Sequence, residues 1–590
     1  PLFYAVAVIV VSFLPIYVLA GPSGTLFRPM ADTMIFALIG SLIVTLTLLP
    51  VLCAWLMRRG VTERRNAIFE AIRSGYRQGL DLCLAFPRWT VIASAILFGC
   101  ALLLTPSIGA EFMPHLDEGA LWVRATMPYT ISFDDSARIV PKVRAILSSF
   151  PEVTVVSSEH GRPDDGTNAT GFFNAEFYVG LKPYSQWPGA YHNKAALIAA
   201  IDRKLQSFPG INFNYTQPAE DAVDEAETGL KSALAVKLFG PDLGTLQLKG
   251  KAIKQVLERV RGIGNVTLVQ EVGQPSLAIR IDRTKTARYG LNVDDINGLI
   301  QTAIGGDVAT QVVQQEKQFD LVVRLDRKYR DDPVAIGNIL VQTPAGQHIP
   351  LKEFAAISVV KGASFIYREN NSRFIGVQFS VGGRDLASAV EDAMRQVTTK
   401  ISLPQGYRLD WGGEYSEYTA SRAQMGVILP LTLFLIFLLL FVLYKNLKFP
   451  LITVAGVLLS APVGGILALW MTGTAFSVSS AIGFLALFGV SVQTAIVYIS
   501  YVNELRLAGT PLAEAIREGA VLRLRPIMMT ALVAALGLLP AALATGVGTD
   551  TQRPFALVIV SGLLACLLIN IFLMPALYAL VARPDDRLEV

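Results

Sequence analysis

Charge is what this sequence lacks most. Asp, Glu, Lys and Arg make up 17% of its 590 residues, whereas soluble domains carry about a quarter. A soluble chain of this length would form several domains, each needing a charged surface, so a wholly soluble protein is excluded. Cysteine is scarce as well. Cys53, Cys83, Cys100 and Cys566 all fall in apolar blocks or in a short basic linker. The long polar stretch 109–423 therefore holds neither a disulfide nor a thiolate ligand. That stretch is also poor in methionine, with only the scattered Met113, Met127 and Met394. No phosphate-binding loop, nucleophile elbow or zinc-protease motif occurs, which argues against a hydrolytic enzyme. The apolar blocks carry no acid in their interiors, since Asp32 and Glu504 sit at block ends.

What is abundant is long apolar runs. Eight blocks, at about 2–19, 32–57, 88–108, 424–444, 449–471, 475–500, 524–546 and 554–581, approach or exceed the roughly 20 residues that span a bilayer as helix. The first has neither the basic flank nor the cleavage site of a signal peptide. Short loops on one side hold Arg58, Arg59, Arg64, Arg65, Lys445 and Lys448, among others, while the opposite short loops hold only Arg28 and Arg553. The basic side faces the cytoplasm, and 109–423 lies outside it. The net charge of +4 follows from this topology and is no argument for nucleic acid.

Proline shows an internal repeat. Pro1, Pro15, Pro29 and Pro50 are spaced 14, 14 and 21 apart, and so are Pro526, Pro540, Pro554 and Pro575. Arg28-Pro29 matches Arg553-Pro554. Proline marks helix ends and kinks, so matching punctuation indicates duplicated helical hairpins, a common feature of transporters. By that symmetry, a helix, an outer domain and three more helices are expected to precede Pro1 in a longer protein.

Within 109–423 the periodicity alternates between strand and helix. Strands are expected at 119–128, 153–158, 173–181 and 211–216, with helices at 133–149 and 193–207. That order is a split ferredoxin-like βαββαβ unit. A second unit starts at 232–239, with a helix at 243–260 and a strand at 264–270. It resumes with a strand at 373–381, a helix at 385–401 and a strand at 406–411. The expected fold is a polytopic α-helical membrane protein with an α+β outer region. Its division is 1–57 (helices), 58–87 (cytoplasmic linker with an amphipathic helix), 88–108 (helix), 109–218 (first outer subdomain), 219–283 and 366–423 (second), 284–365 (inserted module), 424–582 (helices) and 583–590 (tail).

This layout resembles the resistance-nodulation-division transporters. Glu111-Phe112-Met113-Pro114 through Asp117-Glu118-Gly119 is similar to the start of the second outer loop in their heavy-metal efflux branch. Arg523-Leu524-Arg525-Pro526 with Met529-Thr530, and Gly483 to Val490, resemble the superfamily's eleventh and tenth helices. The resemblance implies proton-driven export from a Gram-negative inner membrane by a trimer working with a periplasmic adaptor and an outer-membrane channel, the inserted module serving as half of the docking region. No cofactor is expected beyond the transported metal ion and protons. It further implies that the essential membrane aspartates lie on a helix outside this sequence. Gln493 and Thr530 fall at positions that partner them. Each is equally readable as a helix-to-helix hydrogen bonder.

Substrate follows from ligand softness. Soft monovalent metals prefer thioethers, and the resemblance places two binding methionines of the copper exporters at Asn174 and Glu225. An acidic run, Glu220, Asp221, Asp224, Glu225 and Glu227, stands in their place. Carboxylates with an imidazole suit Zn, Co, Ni or Cd. If the run is helical, 221, 224 and 225 share a face; Glu225 is the leading candidate, and a solvated charge run is the bland alternative. The loop 160–171 is Gly- and Asp-rich. The resemblance makes it a gate (Gly161, Asp164, Asp165, Gly166, Gly171), with His160 a candidate transient ligand; an ordinary flexible turn reads as well. A multidrug exporter is the alternative function, and would use a phenylalanine-lined cleft for which Phe172, Phe173 and Phe177 are available. A sensing or protein-export relative is a more distant one.

Overall fold

The computed structural model describes residues 2–56, 67–111, 117–163, 170–269, 272–363, 366–544, 546–584 and 586. The chain begins with α1 (Leu2–Phe13) and a 3-10 turn through Val18, followed by α2 (Gly21–Leu56). Next come α3 (Ala67–Ala85) and α4 (Pro87–Leu104).

The polar region opens with β1 (Ala120–Thr126), α5 (Phe133–Ser148), β2 (Val153–His160), β3 (Asn174–Leu181), α6 (Lys194–Leu205) and β4 (Asn212–Thr216). The strands pair antiparallel in the order β2-β3-β1-β4. Val140, Val143, Leu147, Leu197 and Ile201 of the two helices are buried against one face of this sheet. Ser132 and Asn193 cap the helices, each side chain accepting from a backbone N–H of the first turn.

A short helix, α7 (Pro218–Thr228), leads to the second unit. That unit begins with β5 (Leu234–Phe239), α8 (Leu243–Leu257) and β6 (Ile263–Leu268). An inserted module then holds β7 (Val272–Ile281), α9 (Arg283–Arg288), α10 (Val293–Ile300), the exposed hairpin of β8 (Asp307–Gln314) and β9 (Lys317–Val323), α11 (Pro333–Gly337), β10 (Leu340–Gln342), β11 (His348–Pro350) and β12 (Ala355–Ala363). The unit resumes through the two-residue β13 (Arg368–Glu369) with β14 (Ser372–Val381), α12 (Leu386–Lys400) and β15 (Arg408–Gly413). Its strands lie in the order β6-β14-β5-β15, the same arrangement as the first sheet. β7 pairs with β12 and not with this sheet, so the inserted module reaches back before 284, its boundary from the sequence pattern. The reason is local: β7 and β12 are antiparallel stalks joining the module to the unit.

Five long helices complete the chain: α13 (Glu414–Tyr444), α14 (Lys448–Thr472), α15 (Val478–Leu507), α16 (Leu512–Leu543) and α17 (Gln552–Val581). Among the described residues seven helices are long and apolar enough to cross a membrane, and Phe3–Val18 is a shorter apolar segment. The protein is a multi-pass membrane protein. Pro29, Pro50, Pro526, Pro540 and Pro575 lie inside helices, whereas Pro15 falls in the 3-10 turn that ends α1 and Pro554 in the first turn of α17, so the proline repeat marks both kinks within spans and their ends. Close helix approach comes from small residues. A Cβ at Gly464 would meet the Ser561 carbonyl oxygen at 2.2 Å, locking α14 onto α17.

Candidate functional site

The acidic run is a helix because Pro218 sits at its first position and Gly229, at φ +64°, closes it in the left-handed conformation. Its N-terminus is capped from a distance: the Glu118 carboxylate accepts from the amides of Ala219 (2.8 Å) and Glu220 (3.0 Å). A negative group there also complements the helix dipole.

One side of α7 is tied to the first sheet by a buried charge network. Arg124 on β1 forms a forked pair with Asp221 (2.7 and 2.8 Å) and bonds Glu176 on β3 at 3.1 Å. Arg124 and Glu176 are direct cross-strand partners. Glu176 also accepts from Asn174 (2.9 Å), Trp122 (3.0 Å) and Lys231 (2.8 Å). Burial alone would raise the Glu176 pKa, but Arg124, Lys231 and Asn174 outweigh it and hold the carboxyl at about 2.

The other side of α7 faces a cavity of about 390 Å³ where the two ferredoxin-like units meet the ends of the membrane helices. Glu220 and Asp224 line it, with Glu414 from the first turn of α13 and Asp385 from the cap of α12. Asp224 is 4% exposed. Its Oδ2 and Oε1 of Glu227 are buried with no hydrogen-bond partner among the described residues. Burial first, then Glu414 and the neighbouring acids of α7, push Asp224 up to about 8. Burial with Glu417 and Glu414 pushes Glu227 to about 7. A cation would relieve both effects.

The structure thus divides the candidates. Asp221 and Asn174 belong to the ion-paired network and are not open as ligands. Glu225 points to water, its side chain half exposed, with Lys231 Nζ at 3.9 Å. Asp221, Asp224 and Glu225 therefore do not act as one face: neighbours on a helix meet different surroundings. Only Glu220 and Asp224 reach the cavity. His160 is held by its fold: Nε2 lies 2.9 Å from both Ser136 Oγ and the Phe172 carbonyl, and its ring stacks on Phe133. Gly161 adopts φ +78° and donates to the Asn174 carbonyl, while the Gly171 carbonyl accepts from the Asn174 amide. Asp164, Asp165 and Gly166 lie outside the described residues. In the membrane, Thr530 donates within its own helix to the Ile527 carbonyl at 3.0 Å, and Gln493 is half-buried on α15. Among the described residues, no three His, Cys, Asp or Glu side chains converge as a metal-binding group.

The sequence pattern passed over Glu414 and Glu417, nearly 190 residues beyond α7. It also passed over Arg124, although a charged residue at an inward position of the apolar strand ALWVRAT signals a buried partner.

The AcrB/AcrD/AcrF family profile matches residues 1–582. The chain belongs to this family. It is 34% identical to the cobalt-zinc-cadmium resistance protein CzcA of Cupriavidus metallidurans, over all of this chain and 56% of that protein. It is 33% identical to the nickel and cobalt resistance protein CnrA of the same species, over 99% of this chain and 55% of CnrA. It is 29% identical to the cation efflux system protein CusA of Escherichia coli, over 98% of this chain and 56% of CusA. A crystal structure of a heavy metal efflux pump superposes with a TM-score of 0.85 at 36% identity, over 98% of this chain and 58% of that one. The chain thus spans a little over half the length of the relatives it matches.

Proposed function

We propose that this protein exports divalent heavy-metal cations of the Zn, Co, Ni and Cd class in exchange for protons. It does so as the inner-membrane pump of a tripartite assembly, a trimer with a periplasmic adaptor and an outer-membrane channel. The observation that carries the reading is Asp224, a buried carboxylate with one oxygen that finds no hydrogen-bond partner among the described residues, facing a carboxylate-lined cavity. Hard and borderline divalent ions take such oxygen donors. The relatives' names concern cobalt, zinc, cadmium and nickel, in line with this donor set. Because no three ligands converge among the described residues, coordination is completed when the two units close on the ion. Gln493 and Thr530 order water on the proton route.

The drug-exporter reading finds less support. Phe173 and Phe177 are buried in the core of the first unit and Phe172 packs on Phe133, so none lines the cavity. The test is a tolerance panel. The full-length gene, with its adaptor and channel, is expressed in a host lacking its own exporters and challenged with Zn, Co, Ni, Cd, Cu, Ag and amphiphilic drugs. Tolerance to the divalent set, lost in Asp224→Asn and largely kept in Glu225→Ala, is expected. Tolerance to drugs alone, or to Cu and Ag alone, overturns the proposal.

A further inference from the structure

The acidic cavity is lined by Glu220 and Asp224 of α7 and by three carboxylates from elsewhere, Glu111, Asp385 and Glu414. The outer three are not equivalent. Both oxygens of Asp385 are committed to the cap of α12: Oδ2 accepts from the Ser388 amide at 2.9 Å and Oδ1 from the Ser388 hydroxyl at 2.6 Å. Glu414 is the one that bears on α7. After burial, its charge is what pushes the Asp224 pKa up most, and after burial and Glu417 it raises Glu227 as well. Such an effect weakens with distance and with intervening water, so Glu414 stands nearest to Asp224 in electrostatic terms.

The two residues are fixed from opposite sides. Asp221, one turn before Asp224, fastens α7 to the first unit through Arg124. Glu414 is fastened to the second unit. It directly follows β15, and its amide donates to the Ala233 carbonyl, just ahead of β5, at 3.0 Å. Gly413 before it adopts φ +86°, and a Cβ there would meet that same carbonyl oxygen at 1.9 Å. The Glu414 side chain therefore leaves from a pinned backbone position and enters the cavity across from Asp224, whose Oδ2 is buried without a hydrogen-bond partner among the described residues. Facing carboxylates of this kind repel each other until a cation lies between them.

We propose that Glu414 is the third ligand of the exported cation, joining Glu220 and Asp224 in an all-carboxylate site that closes as the two units approach. This role rests on the export reading and adds to it a residue carried by the second unit. Three carboxylates, with neither imidazole nor thioether, favour hard and borderline divalent ions over soft monovalent ones. Glu414 opens α13, which is long and apolar enough to cross a membrane, so the bound ion would tie α7 to the end of a membrane helix.

The test uses the purified full-length protein with Zn as the probe. Glu414→Gln removes the anionic ligand at nearly constant shape. Zn affinity should fall at least about 10-fold, while the unfolding midpoint without metal holds or rises because a repulsion is relieved. Combined with Asp224→Asn, the loss should be smaller than the sum of the two single losses, since both open one site. Ligand exchange gives a readout that a merely structural residue would not move. Glu414→His should retain Zn binding and add imidazole scattering to the X-ray absorption spectrum of the bound Zn, whereas Glu225→His, on the water-facing side of α7, should add none. Zn affinity lost in Asp224→Asn but kept in Glu414→Gln overturns the role and leaves the export reading standing. So does a fall in affinity matched by a fall in the unfolding midpoint, or an unchanged absorption spectrum of Zn bound to Glu414→His. A wild type that binds no Zn overturns the export reading and this role together.

Discussion

Asp221 and Asp224 stand one turn apart on the same short helix, both almost fully buried, yet they live in opposite surroundings. Asp221 meets a guanidinium in a forked pair. Asp224 meets other carboxylates and leaves an oxygen without a partner among the described residues. The first arrangement is finished, and its charges satisfy each other within the fold. The second is unfinished, and a proton or a metal ion completes it. The same residue type at the same burial is structural in one place and poised for a ligand in the other. The neighbouring elements decide which: β1 supplies Arg124 to one face and α13 supplies Glu414 to the other.

Breaking the finished side should have the largest effect. Arg124→Met leaves Glu176 and Asp221 buried without their shared cation, which should cost about 3–5 kcal/mol, read as a lowered unfolding midpoint of the purified protein. Breaking the unfinished side should act on binding. Asp224→Asn removes the anionic ligand while relieving repulsion, so Zn affinity should fall at least about 10-fold while thermal stability without metal holds or rises.

Acidity sharpens the contrast because the two sides respond with opposite sign. Asp224 has a raised folded pKa, so its contribution to stability is full below the ordinary carboxylate range and is lost as pH rises through about 8. Glu176 has a depressed one, so its contribution is present above that range and is lost as pH falls toward about 2. Thermal unfolding of the metal-free protein should show stability falling progressively from about pH 4 to about pH 8 and levelling off above, a loss that Asp224→Asn removes. The smallest effect is expected at the cap. Glu118→Gln weakens the anionic hold on the α7 amides and should cost about 1 kcal/mol, lowering the unfolding midpoint slightly and leaving Zn affinity within about two-fold.

Much of the fold is legible in the sequence because its elements are strongly periodic. The strands and helices of both ferredoxin-like units fall within a few residues of their expected places, down to the helix opened by Asp134 and Asp135. Boundaries fail where local signals mislead. Gly21-Pro22-Ser23-Gly24 reads as a loop but forms the first turn of α2. Gly24 is required there because a Cβ would meet the Leu19 carbonyl oxygen at 2.4 Å. The charged stretch 512–523 reads as a linker, yet it continues into α16, since helix outside the bilayer tolerates charge.

The candidate site was legible only in part. Composition exposes the acidic run and its chemistry, and Pro218 and Gly229 bound it as a helix. Which acid faces which partner depends on contacts across 50 to 190 residues, such as Asp221 with Arg124 and Asp224 with Glu414. No local pattern encodes those contacts. His160 shows the same limit: beside an Asp-rich loop it reads as a possible ligand, whereas tertiary packing makes it a brace between α5 and the β2–β3 turn.

The most direct test of the account is to count protons released when the cation binds. Zn is titrated into the full-length protein by calorimetry near pH 7 in buffers of different ionisation enthalpy. Proton release on binding is expected, because Asp224, raised to about 8, is largely protonated at that pH, together with loss of both binding and release in Asp224→Asn. Zn binding without proton release, or binding unchanged in that variant, would contradict it.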